Sequence, residues 1–131
     1  METETLRKSV GACALTARDW FFERAIEKTP NDWSRHNSLQ DQGIGAIYAF
    51  FGDTGQCLYV GQTTQTLKER ANLRTSCHYE APWWDHWTLL RFVNTENQTD
   101  QLVIEMLLIL ALSSEYNSKP AARNIHEMLP A

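Results

Sequence analysis

Two phenols, a guanidinium and a carboxylate carry most of the chemical content of this chain. Tyr48 and Tyr59 stand eleven residues apart, on either side of Gly52-Asp53-Thr54-Gly55. Leu67, Arg70, Ala71 and Arg74 recur at helical neighbour spacing, so the Arg70 guanidinium sits beside a buried stripe and prefers an anionic partner. Glu105 is embedded among Leu102, Val103, Ile104, Met106, Leu107 and Leu108. A carboxylate partly buried among such neighbours costs several kcal/mol unless it is paired or bound to a cation. Gln98, Gln101 and Leu108, its neighbours on the helix, bring no positive charge. Its partner is therefore a metal ion or an arginine from elsewhere in the chain, unless it lies on the narrow solvent stripe that Gln98 and Gln101 begin.

The elements that position these groups follow from local patterning. Ala46–Phe51 and Cys57–Val60 are apolar and aromatic runs of the kind strands prefer, and the Gly-Asp-Thr-Gly between them suits a hairpin turn. Loop counting places Phe51 opposite Gln56, Ala49 opposite Leu58 and Tyr48 opposite Tyr59. The two tyrosines then share a face with Cβ atoms roughly 5 Å apart. Ile47, Ala49, Phe51, Leu58 and Val60 make the core face, so both phenols are expected to point away from the core. Thr66-Leu67-Lys68-Glu69 reads as a capping box that opens a helix over 67–77. A third strand is expected over 87–93, and the strongest helix over 100–113. Cys77, His78 and His86 are too irregularly spaced to read as a metal site. Trp83, Trp84 and Trp87 either close one end of a core or stack on unpaired bases.

Residues 1–42 precede this unit. Thr16-Ala17-Arg18-Asp19 resembles a helix start, and Trp20, Phe21, Phe22, Ala25 and Ile26 give that helix an apolar side. Thr29-Pro30-Asn31-Asp32 reads as its stop. Trp33–Gln42 reads as a loop or a short helix, with His36 on the surface. The segment is expected to pack on the core and cover a sheet edge, with a recognition arm as the alternative. The expected architecture is α+β: a three-stranded antiparallel sheet flanked by helices over 43–131, preceded by a helical extension over 1–42.

Composition sets the outer bounds. A chain of 131 residues with 43% hydrophobic and 21% charged residues is that of one folded domain, or one small core with an appendage. A net charge of −4 and a pI near 5.5 are unusual for a general nucleic-acid binder, which is commonly basic. Cys13, Cys57 and Cys77 are odd in number and scattered, which favours reduced thiols and a cytoplasmic location. The N-terminus has no apolar segment of the secretory kind. Leu102–Leu112 is too short to span a bilayer and contains a glutamate, so no membrane partner is expected.

Taken together, several ordered motifs resemble the GIY-YIG nuclease superfamily over roughly residues 43–124. Ala46-Ile47-Tyr48 stands at that family's first signature and Tyr59-Val60-Gly61 at its second. Gln62-Thr63, Arg70, Glu105 and Tyr116-Asn117 continue the match. The resemblance implies catalytic roles for Tyr48, Tyr59, Arg70, Glu105 and Asn117, with Glu105 holding Mg²⁺ or Mn²⁺. Asn124, which follows a Lys-Pro, competes with Asn117 for the asparagine role. The family's histidine position is taken here by Arg74, which leaves Arg74 as a second phosphate contact and His78 or Tyr79 as a group reaching in from the helix end. Ala46 replaces the glycine of the first signature.

The activity implied is a divalent-metal-dependent endonuclease that hydrolyses phosphodiester bonds, of DNA more readily than RNA, as a monomer or a homodimer. Such hydrolysis needs an activated water, neutralised phosphate charge and a stabilised leaving oxygen. By the resemblance, Arg70 grips the phosphate in a two-point contact. Tyr48 acts as general base, its phenolate favoured by nearby positive charge. Tyr59 fixes the phosphate or water, and Gly61 allows close backbone approach. A non-catalytic nucleic-acid-binding or protein-interaction module of the same fold is the alternative, favoured by Ala46, Arg74 and the acidic balance.

Overall fold

The computed structural model describes residues 2–35, 45–64, 67, 78 and 80–117. A long helix α1 (Thr3–Arg24) leads into a three-residue strand β1 (Ile26–Lys28) and a short helix α2 (Pro30–Ser34). Strands β2 (Gly45–Phe51), β3 (Cys57–Thr63) and β4 (Leu89–Thr95) follow, then helix α3 (Gln98–Leu112). The four strands form one antiparallel sheet in the order β1-β4-β2-β3. The fold is α+β. The helix expected over 67–77, with Arg70 and Arg74, lies outside the described residues apart from the helical Leu67.

The N-terminal segment differs from expectation in three ways. Thr16 is no cap: its hydroxyl donates to the Ala12 carbonyl at 3.1 Å, one turn back inside a continuous helix. The sheet has four strands because Ile26 leaves the helix. The chain turns extended at Ala25 and lays Ile26–Lys28 along β4, with Ile26 opposite Phe92 and Lys28 opposite Leu90. Thr29-Pro30 then starts a helix instead of ending one. The Thr29 hydroxyl accepts from the Asp32 amide while the Asp32 carboxylate faces the Thr29 amide, and Pro30 occupies the first turn, where its missing N–H is harmless. The described residues 2–35 are thus not wholly helical, and Ile26–Lys28 among them form one edge of the sheet.

Pairing of β2 with β3 is shifted from the loop-counting register. Tyr48 faces Gly61 and Tyr59 faces Phe50, while Phe51 faces Cys57, which leaves Leu58 as the extra residue of a bulge. The turn accounts for part of the shift. Gly55 takes a φ of +81°, a region open to glycine, and its amide bonds the Gly52 carbonyl at 3.0 Å.

Both faces of this sheet are covered, which corrects the expectation that the phenols point outward. On one face Ile47, Ala49, Phe51, Cys57 and Val60 meet Phe21 of α1 and Leu108 and Ile109 of α3. On the other, Tyr48, Phe50, Leu90 and Phe92 meet Trp33 of α2, Leu67, Trp83, Trp84 and Trp87. The bulge delivers Leu58 to this second core instead of the first. Trp33 is fully buried, with its ring 5.9 Å from that of Phe92 in an edge-on contact. Helix α3 packs on the sheet and on α1, and among the described residues Leu102, Val103 and Met106 are exposed beside Glu105. No helix among the described residues is long and apolar enough to cross a membrane.

Two predictions follow from these cores. Trp33→Ala is expected to lose about 3–5 kcal/mol of unfolding free energy in denaturant titration, because a large buried ring leaves a cavity. The second concerns the Cys57 thiol, pushed up to about 12, chiefly by burial and further by the Glu115 carboxylate. The unfolded chain ionises this thiol from about pH 9, whereas the folded chain does not. Stability is therefore unaffected below that pH and falls as pH rises toward 12, by up to about 1.4 kcal/mol per unit. Measured from pH 8 to 11, Cys57→Ala should remove that part of the alkaline slope.

Candidate active site

Strand alternation and the bulge together gather Tyr48 and Tyr59 on the second core face, diagonal across β2 and β3. Their ring centroids lie 6.4 Å apart. His78 packs against both rings, and its Nε2 is 2.7 Å from the Tyr48 hydroxyl in a buried hydrogen bond. The donor in this bond follows the imidazole tautomer. Tyr48 is fully enclosed and His78 nearly so, while Tyr59 is half-buried. Tyr59 therefore forms the boundary between the buried pair and solvent. Its ring stacks on Trp83 with centroids 5.2 Å apart and planes 14° from parallel, and lies 4.8 Å from the His78 ring.

Gly61 makes this arrangement sterically feasible. A Cβ built there lies 2.5 Å from both the Tyr48 hydroxyl and the ring carbon that bears it. No side-chain atom fits in that space while Tyr48 keeps its bond to His78. The glycine thus serves the approach of a side chain from the neighbouring strand. Gly61 is in this respect the counterpart of Tyr48.

Asn117 borders the cluster from the outer edge of β3. Its Oδ1 accepts from the Val60 amide at 2.9 Å and its Nδ2 donates to the Val60 carbonyl at 2.8 Å. The preceding residues extend the clasp: the Glu115 amide donates to the Cys57 carbonyl and the Tyr116 amide to the Leu58 carbonyl. Asn117 is buried, and both ends of its amide are engaged with the strand between Tyr59 and Gly61. It holds that strand by both ends of its amide.

Glu105 belongs to α3, whose Leu108 and Ile109 pack on the opposite face of the sheet, and it is half-buried, one turn from Gln101 and from Leu108 along the helix. Among the described residues no three His, Cys, Asp or Glu side chains form a metal-holding group. A magnesium-like ion that keeps most of its waters asks for only one or two protein carboxylates. The amide oxygens of Gln101, one turn earlier, and of Gln62 on β3 are buried without a hydrogen-bond partner among the described residues. Arg70, Arg74, Tyr79 and Asn124 lie outside the described residues.

No protein-family model, curated protein or solved structure matches the chain. The geometry therefore rests on its own contacts: it unites Tyr48, Tyr59, Gly61 and His78 and braces them through Asn117, while the apolar side of α3, the helix that carries Glu105, packs on the other face of the sheet. The stacking of Trp83 on Tyr59 was not legible in the sequence. The cluster of tryptophans signalled a core end, and nothing in its spacing tied one ring to Tyr59. Gly61→Ala is expected to cost about 1–3 kcal/mol by overpacking. The Tyr48–His78 bond should break with it, which the His78 imidazole resonances would report.

Proposed function

We propose that this chain is a divalent-metal-dependent endonuclease of the GIY-YIG type, hydrolysing phosphodiester bonds in nucleic acid, DNA in preference to RNA. The observation that carries this reading is the 2.7 Å contact of the Tyr48 hydroxyl with His78 Nε2, next to a half-buried second tyrosine. A phenol near pKa 10 is deprotonated in only about one molecule in a thousand at pH 7. An imidazole in hydrogen-bond contact gives its proton somewhere to go, and so fits Tyr48 for general-base work. Tyr59, on the solvent side, is suited to orient the attacking water or a phosphate oxygen. Asn117 keeps the strand carrying Tyr59 and Gly61 in place, and Arg70 is the expected phosphate grip. Glu105 would hold the ion, which when bound supplies positive charge to the phosphate oxygens. The three-stranded family core corresponds here to β2, β3 and β4, with β1 an addition at the β4 edge.

The full burial of Tyr48 favours a second reading, in which the chain keeps the fold as a non-catalytic nucleic-acid-binding or protein-interaction module. In that case the Tyr48–His78 bond serves only to satisfy two polar groups inside a core. A cleavage assay separates the two. Plasmid and labelled DNA and RNA oligonucleotides, incubated with Mg²⁺ or Mn²⁺, should be cut by the wild-type chain. The rate should fall by about 100-fold or more in Tyr48→Phe and in Glu105→Ala. Binding without cutting at low salt supports the module, and cleavage undiminished in both variants contradicts the assigned site.

A further inference from the structure

We propose that Trp83 is a positioning residue of the candidate site: its indole fixes the Tyr59 ring and the His78 imidazole together, and so sets where both stand relative to the Tyr48 hydroxyl. Its effect on catalysis rests on the nuclease reading, whereas its hold on the two rings does not. The Trp83 ring lies 5.2 Å from that of Tyr59 with planes 14° apart, 5.4 Å from that of His78 and 4.9 Å from that of Phe50. Tyr59 and His78 are themselves 4.8 Å apart. The three rings thus close a triangle in which each touches the other two. Tyr48 joins it through its bond to His78 and its 6.4 Å approach to Tyr59.

The chain delivers Trp83 and His78 to this place together. The Ala81 amide donates to the His78 carbonyl at 2.9 Å, the Trp84 amide to the Ala81 carbonyl at 3.1 Å and the His86 amide to the Trp83 carbonyl at 2.9 Å. The Thr88 amide then donates to the Phe51 carbonyl at 2.8 Å, which anchors the segment to β2. Trp83 is only 2% exposed and is backed by Phe50, so its indole is held by the core. Tyr59 differs, because it is half-buried. A strand side chain in such a place has more than one staggered rotamer open to it. A rigid indole lying along one face of the phenol ring removes that choice, and little further ordering is needed when substrate arrives. An error of about 1 Å in placing a group at a reacting centre costs on the order of 100-fold in rate. Trp83 can therefore act on the reaction through Tyr59 and His78.

A tryptophan that merely fills the core would behave differently, and Trp87 supplies the comparison. It comes from the same segment, is 5% exposed, and touches the rings of Phe50 and Trp84 at 5.0 and 6.1 Å. The full-length chain is followed by NMR and by oligonucleotide cleavage with Mg²⁺. In the wild type, nuclear Overhauser contacts between the Trp83 indole and the Tyr59 ring are expected, with α–β couplings of a single Tyr59 rotamer. Trp83→Leu should average those couplings, move the His78 imidazole resonances, and lower kcat about tenfold with KM changed less than about twofold. Trp83→Phe, which keeps a flat ring, should retain the single rotamer and bring kcat back to within about threefold of wild type. Trp87→Leu should leave the Tyr59 couplings, the His78 resonances and kcat unchanged. Where Trp83→Leu does not fold, the wild-type couplings and Trp83→Phe decide. Rotamer averaging of Tyr59 in the wild type overturns the proposal, as do equal effects of Trp83→Leu and Trp87→Leu, or a Trp83→Leu variant that loses stability alone. A wild-type chain that cuts neither DNA nor RNA refutes the nuclease reading, and the ring measurements on that same chain still decide whether Trp83 holds Tyr59 and His78.

Discussion

Strand β2 has a neighbour on each side and cover on each face, and all seven of its residues are buried. This constraint governs the rest of the structure. A strand so placed can carry a polar side chain only if the opposing layer supplies a partner, because an unmatched buried hydroxyl costs about 1–3 kcal/mol. Tyr48 is the polar residue of β2, and His78 supplies the bond. Around that bond the surroundings are aromatic: Phe50, Tyr59 and Trp83 all lie within ring-contact distance of Tyr48 or His78. The tryptophans of this face exclude water from the pair, which strengthens the hydrogen bond and makes its geometry exacting.

The sheet's outer strands are handled by different means. On one side three residues of β1 extend it, and the outlying Arg91 guanidinium lies over the Phe22 and Phe51 rings, 5.0 and 4.5 Å from their centroids. On the other side the residues following α3 bond the outer backbone groups of β3, with Asn117 as the terminal clasp. An unpaired strand edge is an aggregation hazard, and the clasp removes most of it at β3. The same clasp holds Tyr59 and Gly61 in register with Tyr48. Protection of the edge and placement of the candidate site are thus one structural feature.

Much of the framework is legible in the sequence. The three longer strands and the apolar helix stand out by composition, and Gly52–Gly55 marks their first turn. The two-sided burial of β2 was available as well, since Ala46–Phe51 is an unbroken apolar run, the pattern of a strand covered on both faces. Its tyrosine invited the opposite assignment. The bulge at Leu58 was not legible, because loop length alone does not count residues inserted into a strand. Ile26–Lys28 is too short for periodicity to register, and Thr29-Pro30 is compatible with either end of a helix until its neighbours are known. The contact of Asn117 with Val60 spans 57 residues and has no local signal. Of the candidate site, the strand runs and turn put the two tyrosines on one face, though in another register, and His78 was one of two groups, with Tyr79, left to reach in from a helix end. That the apolar side of α3 packs on the face opposite Tyr48 was not legible, because a helix's own sequence does not say which face of a sheet it covers.

The hydrogen bond between Tyr48 and His78 is the organising contact of the second core. A double-mutant cycle with Tyr48→Phe and His78→Ala, read as unfolding free energy, measures that contact directly. A coupling of about 1 kcal/mol or more between the two substitutions is predicted. Effects that add to within about 0.5 kcal/mol would contradict it, and would leave the phenol and the imidazole as neighbours without a working bond.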